Sequence, residues 1–194
     1  THNNMATKVT STGAGAIKLS KPSHIIVRPF NGNAAGDDYY DLDDVVRDTT
    51  SISQDDNDTT DIERETSDTP IMSIVTTGKY QFAAEVADTQ APVLTALCGF
   101  TKGTDGKIYA PSGYKLMYAE VAVVFDNADG TTHTALILPK LQLNSKTTIE
   151  SLNSNLAKVA LAGTGQLVEV KDGSVTRKTP FYIDPAYTLP VAGA

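Results

Sequence analysis

The stretch IMSIVTTGKYQFAAEV, residues 71–86, carries the clearest structural pattern in this chain. Apolar side chains recur at every second position from Tyr80 to Val86, with Gln, Ala and Glu between them. This period of two is typical of a strand with one buried face and one exposed face. Thr77-Gly78 separates two runs rich in β-forming residues and predicts a tight turn. The stretch therefore predicts a β-hairpin, which favours a fold built mainly from strands.

The next stretch, DTQAPVLTALCGF (residues 88–100), predicts one short helix over about residues 88–98. Asp88 or Thr89 can cap its first turn, and Gly99 can supply a left-handed stop. A helix this short is held by packing rather than by intrinsic propensity. The apolar side chains that fall on one stripe of the helix are Val93, Leu94 and Leu97.

Most of the remaining chain has strand signals. Residues 24–30 predict a first strand, residues 114–125 and 131–143 predict a hairpin, and Asp172-Gly173 marks the turn of another. Residues 146–162 fit both helical and strand spacing, and their β-branched residues favour a strand. The fold class predicted is mainly β: an antiparallel β-sandwich or squashed barrel with one short flanking helix and an extended acidic loop.

The length of 194 residues suits one domain with short appendages. Residues 1–23 are rich in Gly, Ala, Ser and Thr and predict a flexible N-terminal arm. Residues 24–183 predict a single β-rich domain, which includes the acidic loop at about residues 53–70. Residues 184–194, with Pro185 and Pro190, predict an extended C-terminal tail.

Charge is unevenly placed along the chain. Residues 37–68 hold 13 acidic and 2 basic residues, whereas the rest holds 10 acidic and 14 basic ones, and the total is −7. Such a bipolar chain can pair acidic with basic surfaces between copies. No basic cluster is present to neutralise phosphates, which argues against nucleic-acid binding.

The acidic stretch is the candidate site for assembly or for lining a channel. Its carboxylates repel one another, so an ordered conformation needs positive charge from elsewhere. The acidic residues are Asp55, Asp56, Asp58, Asp61, Glu63, Glu65 and Asp68. The basic residues that a neighbouring copy offers are Lys140, Lys146, Lys158, Lys171, Arg177 and Lys178.

Calcium binding is the alternative interpretation of the same stretch. Possible ligands stand at alternate positions, as they do in a calcium loop. However, Thr60 stands where the sharp turn of the helix-loop-helix site needs Gly, and Thr66 stands where it needs a bidentate Glu. The specific motif therefore fails, a looser calcium site stays open, and we expect no cofactor. The alternate positions are those of Asp55, Asn57, Thr59, Asp61 and Glu63.

No catalytic motif is present, and we expect no enzymatic activity. His2, His24 and His133 lack metal-ligand spacing, and no nucleophile elbow or phosphate-binding loop occurs. Cys98, the single cysteine, fits a buried small hydrophobe. No apolar stretch approaches the ~20 residues of a membrane helix. The polar start of the chain lacks the apolar core of a signal peptide, so we expect synthesis and folding in a cytoplasm.

The order of these features resembles a known family. The acidic segment SISQDDNDTTDIERETSDTPI leads into IVTTGKYQFAAEV, and the short helix of ADTQAPVLTALCGF follows directly. Over about residues 40–183 this organisation is similar to that of the tail tube protein, or major tail protein, of long-tailed bacteriophages.

The resemblance implies a β-sandwich or barrel flanked by a helix. It implies hexameric rings, stacked into a hollow tube through which double-stranded DNA passes without sequence-specific binding. Long loops or hairpins and the termini reach adjacent rings, and the lumen is acidic. The implied partners are further copies of the chain and other phage tail proteins. The implied location is the virion tail, assembled in the host bacterial cytoplasm. Another self-assembling virion component, such as a decoration or fibre protein, is the alternative.

Overall fold

The computed structural model describes residues 21–42, 45–64, 67–87, 90–113, 115–148 and 158–190. The helix in this part of the chain is α1 (Ala91–Cys98). The strands are β1 (His24–Asn31), β2 (Ala34–Ala35), β3 (Tyr40–Asp41), β4 (Ser51–Gln54), β5 (Asp58–Arg64), β6 (Ser67–Thr76), β7 (Tyr80–Val86), β8 (Thr101–Lys102), β9 (Ile108–Tyr109), β10 (Met117–Asp126), β11 (His133–Leu143), β12 (Lys146–Thr148), β13 (Lys158–Gly165), β14 (Val168–Asp172), β15 (Val175–Thr179) and β16 (Tyr182–Tyr187).

One antiparallel sheet dominates the molecule, with the strand order β2-β1-β10-β11-β13-β7-β4. The long strand β11 divides its outer edge between two partners. Its residues 141–143 pair with β13, and its residues 133–137 pair with β16. The short strands β3 and β12 join the same sheet by pairing with β1 and β13. Three small two-stranded sheets, β5-β6, β8-β9 and β14-β15, complete the described strands.

Strand β10 is buried on both faces. Every second residue from Ala119 to Phe125 belongs to the main core, which also contains Leu97 of the helix. The intervening Ala122 and Val124 belong to a second cluster, against which Tyr182 and Tyr187 pack. A strand covered on both faces needs a nearly continuous apolar sequence, which is what the run from 121 to 125 supplies.

Helix α1 ends at Gly99, which adopts the left-handed conformation (φ 73°, ψ 16°) as predicted. The N–H of Phe100 donates to the carbonyl oxygen of Leu94 and closes the last turn. The N-cap is Gln90, whereas the predicted caps Asp88 and Thr89 lie outside the described residues. The predicted stripe is confirmed, because Val93, Leu94 and Leu97 are buried.

The predicted fold class is confirmed. The described chain is mainly β, its sheets are antiparallel, it has one short helix, and the main sheet stays open rather than closing into a barrel. The hairpins predicted around residues 126–130 and Gly173 form as β10-β11 and β14-β15. Of the ambiguous residues 146–162, the structure describes strands at 146–148 and from 158 onward, and residues 149–157 lie outside the described part.

The ends of the chain differ partly from the prediction. Residues 1–20 of the predicted N-terminal arm lie outside the described part, and Ser23 is docked on the sheet by a 2.8 Å hydrogen bond from its N–H to the oxygen of Val124. The predicted C-terminal tail begins within β16, which pairs with β11. Tyr182 and Tyr187 pack on the second apolar cluster, and this burial explains why the segment joins the sheet.

The predicted tight turn at Thr77-Gly78 is wrong. Strands β6 and β7 are not paired with each other but follow one another in line. The predicted acidic loop is also largely strand, since β5 pairs with β6 over most of it. The β-branched residues Thr59, Thr60 and Ile62 favour this extended pairing in spite of the acidic charge.

Candidate functional site

A long two-stranded ribbon leaves the main sheet. Its proximal part is β4 paired with β7, as in the pair Gln54 and Tyr80. Its distal part is β5 paired with β6, beginning at the pair Asp58 and Thr76. The two pairings share one register, so the ribbon is continuous. We call the distal part, β5 and β6, the arm.

The two parts of the ribbon meet at a close junction around Gly78. The N–H of Asp55 donates to the oxygen of Lys79 at 2.9 Å, and the N–H of Gly78 donates to Oδ1 of Asn57 at 3.0 Å. A Cβ atom at position 78 would lie 1.7 Å from the carbonyl oxygen of Asp55. Position 78 therefore admits no side chain, and this close approach is why the strand pattern contains a glycine.

The arm presents an apolar face that its own chain leaves exposed. Cross-strand partners lie on the same face, which places Ile62 opposite Met72 and Ile74 opposite Thr60 on one side of the ribbon. Ile62 is 40% exposed, Met72 52% and Ile74 47%. Side chains of this size are normally buried, so a contiguous row of them marks an interaction surface.

The acidic residues of the arm region have different surroundings. Asp55 accepts a 2.8 Å hydrogen bond from Nε2 of Gln81 at the junction, and Asp61 accepts one from the Ser73 hydroxyl. Asp56 and Asp58 are exposed. No ion pair involving these four carboxylates occurs within the described part of the chain. The side chains of Glu63 and Asp68, and all of Glu65, lie outside the described residues.

The predicted basic partners are spread over the molecule, and several already have contacts. Lys158 pairs with Glu85 at 2.6 Å, Arg177 pairs with Asp172 at 2.9 Å, and Lys178 pairs with Glu169 at 3.5 Å. Nζ of Lys140 lies 4.5 Å from the ring centre of Tyr118. Their role in assembly stays a prediction. Lys140 forms no ion pair in the described chain beyond this ring contact, and neither do the exposed Lys146 and Lys171.

Two histidine–aspartate pairs lie at strand ends. Nδ1 of His24 lies 2.7 Å from Oδ2 of Asp41, and Nδ1 of His133 lies 2.9 Å from Oδ1 of Asp126. Each pair has a structural role, since it joins neighbouring strands. Within the described residues, no group of three or more His, Cys, Asp or Glu side chains is placed to hold a metal ion.

Burial shifts the pKa of several interior groups, among them Cys98 and Glu120. It raises the pKa of the Cys98 thiol, against a smaller effect of the Thr147 hydroxyl, so Cys98 is a half-buried packing residue. It also raises the pKa of the Glu120 carboxyl, which the Arg28 guanidinium opposes from 3.4 Å. Neither group lies in the ribbon, so neither bears on the arm.

The acidic character of the arm was readable in the sequence, but its apolar face was missed. In the sequence Ile62 stands between polar neighbours, whereas Met72 and Ile74 belong to the apolar run at residues 71–75. Only the register of β5 with β6 brings the three side chains to one face. The spacing of Met72 and Ile74 around Ser73 was the available signal.

No model of a protein family matches the chain, and no curated protein matches it. None of the helices in the described residues has the length and apolarity to cross a membrane.

Proposed function

We propose that this chain is a structural subunit of a tail tube like that of long-tailed bacteriophages. Copies assemble into hexameric rings, and the rings stack into a hollow tube in the virion tail, through which double-stranded DNA passes. The tube contacts other tail proteins at its ends, and the subunit catalyses no reaction. The organisation of the sequence around residues 40–183 suggests this function, and the exposed arm supports it.

The arm is the single observation that carries the proposal. A two-stranded hairpin is at best marginally stable in water when it stands alone. This one also leaves Ile62, Met72 and Ile74 about half exposed. Burial of the remaining exposed area stabilises an interface by about 1 kcal/mol for each such side chain. A polymer repeats that gain at every subunit, whereas a monomer forgoes it.

The acidic charge suits a channel for DNA. DNA presents one negative charge per ~1.7 Å of its axis, and a basic wall would retain it by counterion release. The chain carries −7 in total, and its acidic residues are concentrated between 37 and 68. An acidic wall leaves the DNA hydrated and free to slide.

Electron microscopy of the purified protein tests the proposal. We expect rings or tubes of uniform diameter with a central channel in negative stain. Fibres without a channel would favour another virion component. A monodisperse monomer at high concentration, over a range of salt concentrations, would contradict self-assembly altogether.

An arm-deleted variant is the matched control. Because Asp55 and Lys79 already form a cross-strand pair, replacing residues 56–78 with Asn-Gly closes the ribbon by a two-residue turn. The variant retains β4, β7 and the core, so we expect it to fold with cooperative melting but to form no tubes. Tubes formed without the arm would remove the observation on which the proposal rests.

A further inference from the structure

Exposed apolar side chains also occur on the segment between the helix and β10. We define the β8-β9 segment as residues 101–113 together with Lys115 and Leu116. Ile108 is 37% exposed, Tyr109 50% and Leu116 51%. Ile108 and Tyr109 are consecutive in β9 and lie on opposite faces of the β8-β9 sheet, and Ile108 shares its face with its cross-strand partner Lys102. Like the two strands of the arm, β8 and β9 pair only with each other among the described strands.

The β8-β9 segment carries the charge opposite to that of the arm. Its single carboxylate, Asp105, is occupied within the segment, where it pairs with Lys107 at 2.9 Å and accepts a 2.9 Å hydrogen bond from the Tyr109 hydroxyl. Lys102 and Lys115 remain, both exposed and without an ion pair in the described part of the chain. Two unpaired cations therefore flank the apolar side chains, as the carboxylates of Asp56 and Asp58 stand beside the apolar face of the arm.

The arm and the β8-β9 segment leave the main sheet in opposite directions. They leave it from one row of cross-strand neighbours, which consists of Gln81, Thr164, Gln142 and Tyr118. Each neighbouring pair in the series β7-β13-β11-β10 is antiparallel, so β7 and β10 run in opposite directions. The arm precedes the first residue of β7, and the β8-β9 segment precedes the first residue of β10. The arm of one copy and the segment of the same copy therefore point away from each other.

We propose that the apolar face of the arm docks on the β8-β9 segment of a second copy of this chain. Apolar side chains meet across the contact, and Lys102 and Lys115 neutralise carboxylates at the base of the arm. The inference rests on the proposed function, since it names the contact by which that assembly grows.

The β14-β15 hairpin is a weaker acceptor, although it holds three of the cations predicted from sequence. Arg177 is paired with Asp172 and Lys178 with Glu169 inside the hairpin. Of these three cations, only Lys171 has no ion pair in the described part of the chain. An acidic arm would therefore gain little electrostatic attraction from the β14-β15 hairpin.

A contact between the arm of one copy and the β8-β9 segment of another uses two different surfaces, so it is not reciprocal. Each copy uses its arm on one neighbour and its β8-β9 segment on the other, which is a heterologous contact that propagates along one direction. We infer that the arm and the segment join successive rings rather than neighbours related by a two-fold axis.

Cross-linking of cysteine variants tests the contact in the full chain. All variants carry Cys98→Ala; one adds Ile74→Cys on the arm, a second adds Ile108→Cys on the segment, and a third adds Val175→Cys on the β14-β15 hairpin. Each is treated with a short bis-maleimide, alone and in mixtures. We expect a cross-linked product of two chains from the mixture of the first and second variants. We expect no such product when either variant is treated alone.

A variant carrying both Ile74→Cys and Ile108→Cys reports the symmetry of the contact. A head-to-tail contact gives a ladder of products with increasing numbers of chains, whereas a reciprocal two-fold contact stops at two chains. A product limited to two chains would overturn the head-to-tail assignment.

The remaining outcomes separate this inference from the proposed function. If the protein forms tubes but cross-links only through Val175→Cys, or gives no cross-linked product, the docking site is wrong. The proposed function would not be affected by that result. A monomer with no product would overturn both.

Charge exchange tests the same contact without cysteine. Lys102→Glu with Lys115→Glu should abolish assembly, and mixing that protein with the variant Asp56→Lys with Asp58→Lys should restore mixed assembly. Assembly of the first variant alone, or failure of two folded variants to assemble together, would count against the inference.

Discussion

At Gly78 the backbones of the two ribbon strands approach too closely for any side chain. Substitution of Gly78 by Ala would place a Cβ atom 1.7 Å from the carbonyl oxygen of Asp55, so the backbone of one strand would have to shift. We expect Gly78→Ala to lower the free energy of unfolding by about 1–3 kcal/mol. Alternatively, the strands of the ribbon separate locally at this junction, which rapid proteolysis within residues 55–79 would reveal.

Gly113→Ala is the matched control for that substitution. A Cβ atom at Gly113 meets no other atom within 4 Å, so the variant should melt like the unmodified protein. Equal stability and equal protease resistance of the two variants would show that the junction at Gly78 is not constrained.

Glu120 gives a pH-dependent prediction. Burial raises the pKa of its carboxyl above the ordinary value of 4.5, and Arg28 lowers it by a smaller amount. The folded state therefore binds the proton more tightly than the unfolded state, and stability falls as the pH rises through the folded-state pKa. Glu120→Gln is uncharged throughout, so its melting temperature should match that of the native chain near pH 4 and exceed it at neutral pH.

Glu169→Gln serves as the comparison for Glu120→Gln. Glu169 lies on the exposed β14-β15 hairpin, where an ion pair contributes little to stability. Its loss should leave the melting temperature nearly unchanged at both pH values. A melting temperature of Glu120→Gln below the native value at neutral pH would mean that the attraction to Arg28 outweighs the cost of burial.

Among the elements, those defined by local pattern were predictable from the sequence. The period of two in β7 is observed as burial of Phe82, Ala84 and Val86, and the helix stops at Gly99. The partners of the strands were not predictable, because pairing joins residues far apart in sequence. Gly78 shows the difficulty: glycine serves both tight turns and close strand approaches, and its neighbours do not distinguish the two.

The candidate site was predictable by charge and not by shape. The acidic residues cluster within residues 55–68 and are visible in composition, whereas the apolar face depends on the pairing of β5 with β6. Lys102 and Lys115 were overlooked because they are isolated lysines far apart in the sequence. Lys115 adjoins Leu116 along the chain, but only the pairing of β8 with β9 places Lys102 opposite Ile108.

The apolar face of the arm leads to a prediction at the level of the element. Ile74→Ser, on a side chain that is 47% exposed, should change subunit stability by less than about 0.5 kcal/mol. The same substitution should greatly reduce tube formation, because it places a hydroxyl in the proposed contact. Sedimentation of assembled material, compared with denaturant unfolding, separates the two effects.

Leu167→Ser is the control for Ile74→Ser. Leu167 is 66% exposed and lies outside both the arm and the β8-β9 segment. We expect this variant to assemble normally. Equal loss of assembly in the two variants would indicate that replacing any exposed apolar side chain by a polar one impairs assembly. The arm would then have no special docking face.

For the whole molecule, net charge and local charge act in opposite directions on assembly. Each copy carries −7, so neutralising a carboxylate remote from any contact reduces repulsion between copies and should strengthen assembly. Neutralising a carboxylate that meets a cation of the next copy should weaken assembly. Two pairs of exposed aspartates allow this comparison at equal charge change: Asp56 with Asp58 beside the arm, and Asp37 with Asp38 away from it.

We therefore expect the double variant Asp56→Asn with Asp58→Asn to raise the protein concentration needed for tube formation. The double variant Asp37→Asn with Asp38→Asn should lower it. The concentration is read from sedimentation at a series of salt concentrations, and its salt dependence should weaken most in the first variant, because screening acts on the attraction that this variant lacks. A shift in the same direction for both variants would mean that the arm carboxylates contribute only to the net charge and meet no cation in the assembly.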